Sequence, residues 1–328
     1  MAGPVVVTGG SGFLGSNLVE ALVREGREVI VYDRAPLPPD MRCDTSAIRH
    51  VVADIRDGEA LGSVVTPEVD TVFHLSALVG VDKYLNDPLD VIEISVIGMK
   101  NVLQAALAAE AKVVVASTSE IYGRNPAPPW SEDDDRVLGS TSADRWSYAT
   151  SKAAAEHMTF AYTRHRGLRA SILRYFNLYG PRQRPAYVLS RTIHRVVSGQ
   201  PPLLYDGGAQ TRCFTFVDDA VEATLRAAAT AAADGQSFNI GSDCETSVID
   251  AVRLVSKLAG SDLQPTALDT SIALGDAYED VRRRVPNISK AKTLLDWKSK
   301  TTLEEGLTTT IAWARCSSWW LGKMPAQG

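Results

Sequence analysis

The stretch Thr8-Gly9-Gly10-Ser11-Gly12-Phe13-Leu14-Gly15 leaves the chain few options. It stands between a short apolar run, Val5–Thr8, and a helix-like segment, Ser16–Arg24. Glycines at 9, 12 and 15 permit a tight turn, close backbone approach to a pyrophosphate, and close packing of helix on strand. The helix start then offers unpaired N–H groups and a positive dipole end to phosphates. Strand, glycine turn and helix in that order predict a dinucleotide site. Asp33 follows the next β-type run, Glu28–Tyr32. Its carboxylate is placed to accept hydrogen bonds from the adenosine ribose and to repel a 2′-phosphate, which favours NAD over NADP. Arg34 is the competing signal, since an arginine there accommodates that phosphate. Asp54-Ile55, after the third run, is placed to hold adenine by its exocyclic amine and one ring face.

Further β-type runs at His50–Ala53, Thr71–Leu75 and Lys112–Ser117 alternate with helical stretches such as Val96–Ala109. The strands lack in–out alternation, the pattern of a parallel sheet covered on both faces. The expected fold is α/β, a doubly wound parallel sheet (Rossmann), with a smaller mixed α/β C-terminal substrate domain. Tyr148–Arg164 and Ala170–Arg174 continue the alternation. From about Gly180, prolines and glycines break the elements into short pieces, before Asp218–Ala233, Phe238–Ile240 and Val248–Leu258 resume helix, strand and helix. Residues 1–180 read as the cofactor domain, with segments of 212–245 returning to it, and 181–328 as mainly the substrate domain. The acidic, Pro-rich loop of Pro126–Trp130 and Glu132–Asp135 reads as solvated surface. The closing segment with Trp319-Trp320 reads as either docked or frayed.

The formal charge is −5 and the basic residues are dispersed, apart from Arg282-Arg283-Arg284. Nucleic acid is therefore not an expected partner, because phosphate contacts need clustered cations. Cys43, Cys213, Cys244 and Cys316 form no ligand-spaced cluster and read as reduced thiols, with no metal site. No stretch reads as approaching the ~18 apolar residues of a membrane span, and the early strand leaves no room for a signal peptide. A cytoplasmic protein without a membrane partner is the expectation.

Tyr148-Ala149-Thr150-Ser151-Lys152 puts a phenol and an ammonium on one face of a helix. The lysine, and the positive charge of a nicotinamide, are expected to lower the tyrosine's pKa. A phenolate so formed takes a proton from a sugar alcohol as hydride leaves for NAD. Thr118, in Ser117-Thr118-Ser119 at a strand end, is placed to share that proton.

Thr8–Gly15, Asp33, Asp54, His74-Leu75-Ser76-Ala77, Ser117–Gly123, Tyr148–Lys152 and Arg174–Pro181 together resemble the extended short-chain dehydrogenase/reductases, over roughly Pro4 to Trp313. Within them the chain is similar to the nucleotide-sugar branch: UDP-hexose epimerases, UDP-glucuronate decarboxylases and sugar-nucleotide 4,6-dehydratases. The resemblance implies tightly held NAD, a UDP-sugar substrate, and a homodimer through the helices around Val96–Ala109 and Ala149–Thr163. It implies that Gly9, Gly12, Phe13, Leu14, Gly15, Asp33, Arg34, Asp54, Ile55, Leu75 and Ala77 line the cofactor, with Tyr148 and Lys152. It implies Thr118, Tyr148 and Lys152 as catalytic hydroxyl, base and lysine, and Asn177 and Arg212 at the sugar-nucleotide diphosphate. Val79 and Tyr205 fall on the substrate side. Ser95 and Met99 depart from the Asn and Thr usual in the branch.

All three chemistries oxidise the hexose at C4, and residues around C5 and C6 should part them. Glu120 resembles the carboxylate of decarboxylases and dehydratases; Ser119 stands where dehydratases acting on dTDP-glucose carry an Asp. Gly180-Pro181-Arg182-Gln183-Arg184-Pro185 resembles the segment of UDP-glucuronate 4-epimerases whose second Arg grips the C6 carboxylate, which assigns Arg184 as a clamp. Arg284 resembles the Arg near the C-terminus of UDP-glucuronate decarboxylases, and Arg145-Trp146-Ser147-Tyr148 is similar to the same group. The leading expectation is an NAD-dependent UDP-sugar 4-epimerase working through a transient 4-keto sugar, converting UDP-glucuronate to UDP-galacturonate. UDP-glucuronate decarboxylase is the alternative and an NDP-hexose 4,6-dehydratase the third. A non-catalytic NAD-binding regulator predicts a broken Tyr/Lys pair, and both residues are present.

Overall fold

The computed structural model describes residues 3–269 and 281–323. Strands β1 (Val5–Thr8), β2 (Val29–Asp33), β3 (Ile48–Val52), β4 (Thr71–His74), β5 (Lys112–Thr118) and β6 (Ala170–Tyr175) alternate with helices α1 (Phe13–Arg24), α2 (Gly58–Gly62), α3 (Val81–Asn86), α4 (Pro88–Ala108) and α5 (Ser147–Arg166). Then come β7 (Leu178–Tyr179), α6 (Val188–Val197), β8 (Leu203–Tyr205), β9 (Thr211–Cys213), β10 (Thr215–Phe216) and α7 (Val217–Ala229). After these lie β11 (Ser237–Ile240), β12 (Glu245–Ser247), α8 (Val248–Ala259), β13 (Thr266–Leu268) and β14 (Arg283–Arg284). Helical stretches at Ser289–Leu294, Leu303–Cys316 and Ser318–Leu321 close the described chain.

One sheet runs β11-β6-β5-β4-β1-β2-β3, with every pairing parallel. Its central strands feed two cores at once, which is why their sequences do not alternate: Val5, Val7, Val29 and Val31 point into one and Val6, Ile30 and Val72 into the other. The strand order reverses between β1 and β4, so the C-terminal ends of β1, β4 and β5 open onto one crevice, where open α/β sheets bind ligands. β11 and α7 return to this sheet from the second half of the chain. The rest of that half builds small sheets, β12-β9-β14 and β13-β8, beside the crevice.

Two readings of the sequence need correction, and a third is decided between its two alternatives. Helix α4 is 21 residues long with mean hydropathy 1.4, so by length and composition it could cross a bilayer, although no stretch had been expected to. Here it packs on α5 and buries Val91, Ile94, Met99, Val102, Leu103 and Ala106; Leu89, Ile92 and Ile97 stay exposed. It also starts before Val96, because the Asp87 carboxylate caps Asp90 N–H and Pro88 suits the first turn. The Pro-rich loop is not simply solvated surface. Trp130 is buried and stacks on Tyr122 with ring centroids 5.1 Å apart. The Glu132 carboxylate accepts from Asn239 N–H at 2.8 Å, tying the loop to β11. The tail is docked: Trp320 is buried, its indole N–H donating to the Gln183 carbonyl at 2.7 Å. Residues 324–328 lie outside the described chain.

Candidate active site

At the end of β1 the glycine turn is as tight as its spacing predicts. Gly9 has φ 72°, and a Cβ on Gly15 would stand 2.1 Å from the Gly9 carbonyl oxygen. That cradle, not merely the motif, admits only glycine. Gly12 is the N-cap of α1 without a side-chain cap, so the first-turn N–H groups at Phe13, Leu14 and Gly15 are left for a ligand phosphate. Asp33 is held at the tip of β2 by accepting from Ser11 N–H at 3.0 Å and Ala35 N–H at 2.9 Å. Arg34, the competing signal for a 2′-phosphate, pairs instead with Asp54 at 3.2 Å. Asp54 is also gripped by Arg56, which holds its carboxyl down to about 2. Ile55 is buried against Gly98, so any adenine contact there would come from its edge. Leu75 continues β4 by donating to the Thr8 carbonyl at 3.0 Å, and Gly9 lies directly against Leu75 and Ser76. Ala77 follows, half-buried. The residues present fit a dinucleotide.

His74 ends β4 beneath this turn, its Nδ1 2.8 Å from Thr8 Oγ1. Burial, with Lys152 nearby, pushes its pKa down to about 3. A histidine that titrates near 6.5 when unfolded binds protons in the unfolded state first as pH falls, so stability is lost between pH 6.5 and 3. Acidification from pH 7 to 5 should cost about 2 kcal/mol through this residue. Urea unfolding of wild type and His74→Asn at both pH values measures it; equal acid losses in the two would refute the assignment.

The catalytic candidates come from two neighbouring elements. Thr118 ends β5, and its Oγ1 accepts from Glu120 N–H at 3.1 Å, capping the short 3₁₀ turn Ser119–Tyr122. Tyr148 and Lys152 lie one turn apart on α5, both buried. The Lys152 ammonium turns to the backbone and makes no direct bond to the phenol. Its ammonium donates to the Ala116 carbonyl at 2.6 Å, while burial, Tyr187 and Glu120 push Tyr148 well above its ordinary value, against a hydrogen bond with Thr118. Burial lowers Lys152 to about 8, Glu156 working in the opposite direction. Glu156 is itself fixed by Arg174 at 2.7 Å and by the Ser117 hydroxyl, so β5, β6 and α5 are tied together directly behind the pair.

Glu120 carries the least expected geometry. Its two carboxylate oxygens face Arg145, at 2.9 Å, and Arg284. Burial would raise its carboxyl, but the two guanidinium groups win and hold it far below the usual range. Arg145 lies in the 3₁₀ turn Asp144–Trp146 that leads into α5, three residues before Tyr148, and stands over Tyr84, which stacks on Tyr148 at 6.3 Å. Arg284 stands opposite Arg212 in the β14–β9 register, and both are buried. Ser119 is buried in the same turn.

The remaining substrate-side residues spread out. Asn177 adopts φ 27° after β6, its side-chain oxygen buried without a hydrogen-bond partner, as expected where a ligand completes the bonding. Arg212 donates to the Thr211 carbonyl at 2.8 Å. Tyr205 packs on Arg191 of α6. Val79 is exposed, and its carbonyl accepts from Tyr187 O–H at 3.1 Å. Arg184, expected to be open to a substrate carboxylate, is committed to Asp82 through two 2.7 Å bonds. Ser95 and Met99 are buried in α4, Met99 Sδ accepting from the Thr159 hydroxyl at 3.7 Å. Sequence reasoning did not put Arg145, Tyr84, Tyr187 or Asp82 among the site residues. Arg145 had a signal, its place before the tyrosine; the others are brought in by tertiary packing alone.

Residues 5–241 match the family described as "NAD dependent epimerase/dehydratase family". A UDP-N-acetyl-alpha-D-glucosaminuronate decarboxylase from Bacillus cytotoxicus is 38% identical, the match covering 94% of this chain and 97% of that one. The structure of MoeE5 with UDP-glucuronic acid and NAD is 34% identical, with TM-score 0.82, covering 96% of this chain and all of that chain (100%). A UDP-glucuronic acid 4-epimerase from Bacillus cereus, solved with a 4-deoxy-4-fluoro analogue of its substrate and NAD, superposes with TM-score 0.84 at 27% identity, covering 95% and 99%.

Proposed function

Since the chain belongs to the NAD dependent epimerase/dehydratase family, and is thus an NAD-dependent enzyme of the nucleotide-sugar branch, we propose that it removes CO2 from a UDP-linked hexuronate, glucuronate or its 2-acetamido counterpart. The observation that carries this is the placement of cations around Tyr148. Arg184 is matched by Asp82, whereas Arg145 and Arg284, both buried, converge on the Glu120 carboxylate beside the catalytic turn. Arg284 is there the guanidinium placed to meet a sugar carboxylate. The relative from Bacillus cytotoxicus, named for decarboxylation of such a uronate, supports the same reading.

Bound NAD supplies the acceptor that makes the sugar's C4 alcohol a ketone and later returns the hydride. Tyr148 takes the O4 proton, Thr118 sharing it, and Lys152 supplies positive charge beneath. With C4 a ketone, the uronate is a β-keto acid. Its C5–C6 bond breaks, the electron pair passes into the C4–C5 bond to give an enolate on O4, CO2 departs and C5 takes a proton. The Tyr148 phenol donates to that enolate oxygen. Arg284 orients the C6 carboxylate, while ionised Glu120 disfavours a second anion beside it and is indifferent to neutral CO2. The same Glu120 is too weak a base to take a C5 proton, and Ser119 offers no acid, which speaks against dehydration.

The 4-epimerase reading retains the Gly180–Pro185 segment and the likeness to the Bacillus cereus enzyme. The exposed face of α4 suits the homodimer that the resemblance implies. Incubation with UDP-glucuronate and UDP-N-acetylglucosaminuronate should release CO2 and yield a UDP-pentose from at least one. A 4-epimeric uronate without CO2 would instead assign the epimerase.

A further inference from the structure

We propose that Asp82 decides the fate of the 4-keto uronate by masking Arg184, so that the C6 carboxylate stays free to leave. The proposal rests on the uronate reading above. Both Asp82 oxygens accept from the two terminal nitrogens of Arg184 at 2.7 Å, the bidentate geometry a substrate carboxylate would otherwise take. Arg184 Nη2 also donates to the Val79 carbonyl at 3.2 Å. The pair is built into the backbone. Gly80 has φ 133°, and a Cβ there would stand 2.2 Å from Arg184 Nη2 and 2.6 Å from Asp82 Oδ1. Only glycine lets the two side chains close against this loop.

Both ends of the pair are anchored near the reacting centre. Asp82 shares α3 with Tyr84, whose ring stacks on Tyr148. The Arg184 carbonyl accepts from the Ser190 hydroxyl at 2.7 Å, and the preceding Gln183 carbonyl accepts from Trp320. Tyr187 lies beneath the guanidinium, 5.9 Å from its carbon, and is the neighbour that presses electrostatically on the Tyr148 phenol. A guanidinium in this place, were it free, would hold the C6 carboxylate by two parallel bonds and fix its rotation. A β-keto acid loses CO2 only when the C5–C6 bond lies parallel to the ketone π system, so a clamped carboxylate favours rotation of the intact 4-keto sugar and reduction from the other face. Asp82 removes that clamp and leaves Arg284 as the carboxylate's partner.

The test compares wild type, Asp82→Asn and Asp82→Asn with Arg184→Gln, following CO2, UDP-pentose and 4-epimeric uronate, and the Kd of UDP-glucuronate relative to UDP-glucose. Asp82→Asn should lower CO2 release about tenfold, yield the 4-epimer, and tighten uronate binding over glucose by about tenfold. The added Arg184→Gln should remove the epimer and the affinity gain and restore CO2 release, which a misfolded α3 would not allow. Unchanged partition in Asp82→Asn, or an epimer that persists in the double variant, overturns the proposal. If wild type releases no CO2, the decarboxylase reading fails by itself. The Kd ratio in Asp82→Asn still decides whether Asp82 masks Arg184: a ratio equal to wild type overturns it.

Discussion

Tyr148→Phe is expected to lower kcat on the UDP-hexuronate by a factor of about 10³, with unfolding temperature and NAD content close to wild type. The ring is 5% exposed and stacks on Tyr84, and phenylalanine keeps that packing. What disappears is one hydroxyl, the group proposed to take the O4 proton and to support the enolate. General acid–base groups contribute about 10²–10⁴ in rate, and this one acts in oxidation, decarboxylation and reduction alike. KM should move little, since the loss falls on transition states and not on the bound sugar. Single-turnover formation of the 4-keto sugar, measured beside steady-state kcat, checks the assignment. A variant within tenfold of wild type would remove Tyr148 from the mechanism.

The phenol's surroundings also set a pH dependence. Burial raises Tyr148, so its proton leaves readily only when positive charge stands close by. Lys152 provides such a charge as an ammonium, and burial brings its own titration down to about 8. Below that value the ammonium is present; above it the lysine turns neutral and the support is withdrawn. The kcat/KM profile of wild type should therefore fall on its alkaline side as pH rises through about 8.

The sheet and the dinucleotide cradle were legible in the sequence for a physical reason: their signals are local. A strand buried on both faces shows itself as an unbroken apolar run, and Val5–Val7 and Val113–Val115 are that run. The glycine spacing encodes a turn whose tightest contacts are local, Gly12 and Gly15 both closing on the Gly9 carbonyl. Helix α6 could have been read too, since Leu189, Ile193 and Val196 recur at helical spacing on its buried side. The short strands could not. β9 becomes a strand only because Glu245–Ser247 and Arg283–Arg284 pair with its edges from far along the chain. The electrostatics were the least accessible part. Tyr148 and Lys152 are correctly spaced, yet the lysine turns to the Ala116 carbonyl, and burial, Tyr187 and Glu120 all raise the phenol. Nor does any local pattern reveal that Arg184 meets Asp82 or that Glu120 meets two arginines.

That last meeting sets up the second large effect. Arg284→Ala should lower CO2 formation about 10²–10³-fold and raise KM for the uronate, while binding of UDP-glucose, whose sugar carries no carboxylate, changes little. A guanidinium lost from beside a sugar carboxylate costs about 2–5 kcal/mol, partly because the partner anion is left unpaired. Here Glu120 also loses one of its two counter-ions, and Arg145, whose side chain is fully buried, has to neutralise it alone. Arg284→Lys should recover only part of the activity, because an ammonium cannot span two carboxylates in one plane. Glu120→Gln should behave oppositely in KM. Removing the fixed anion takes a shared counter-ion from Arg145 and Arg284, at a stability cost of about 3 kcal/mol, but it makes the cluster a better receptor for the substrate carboxylate. KM then falls together with kcat, the signature of a ground-state repulsion removed. If instead Glu120→Gln raised KM for the uronate as Arg284→Ala does, Glu120 would serve to position Arg284 and not to press on the departing carboxylate. The two variants, measured on the uronate and on UDP-glucose, separate attraction from repulsion at the same few atoms.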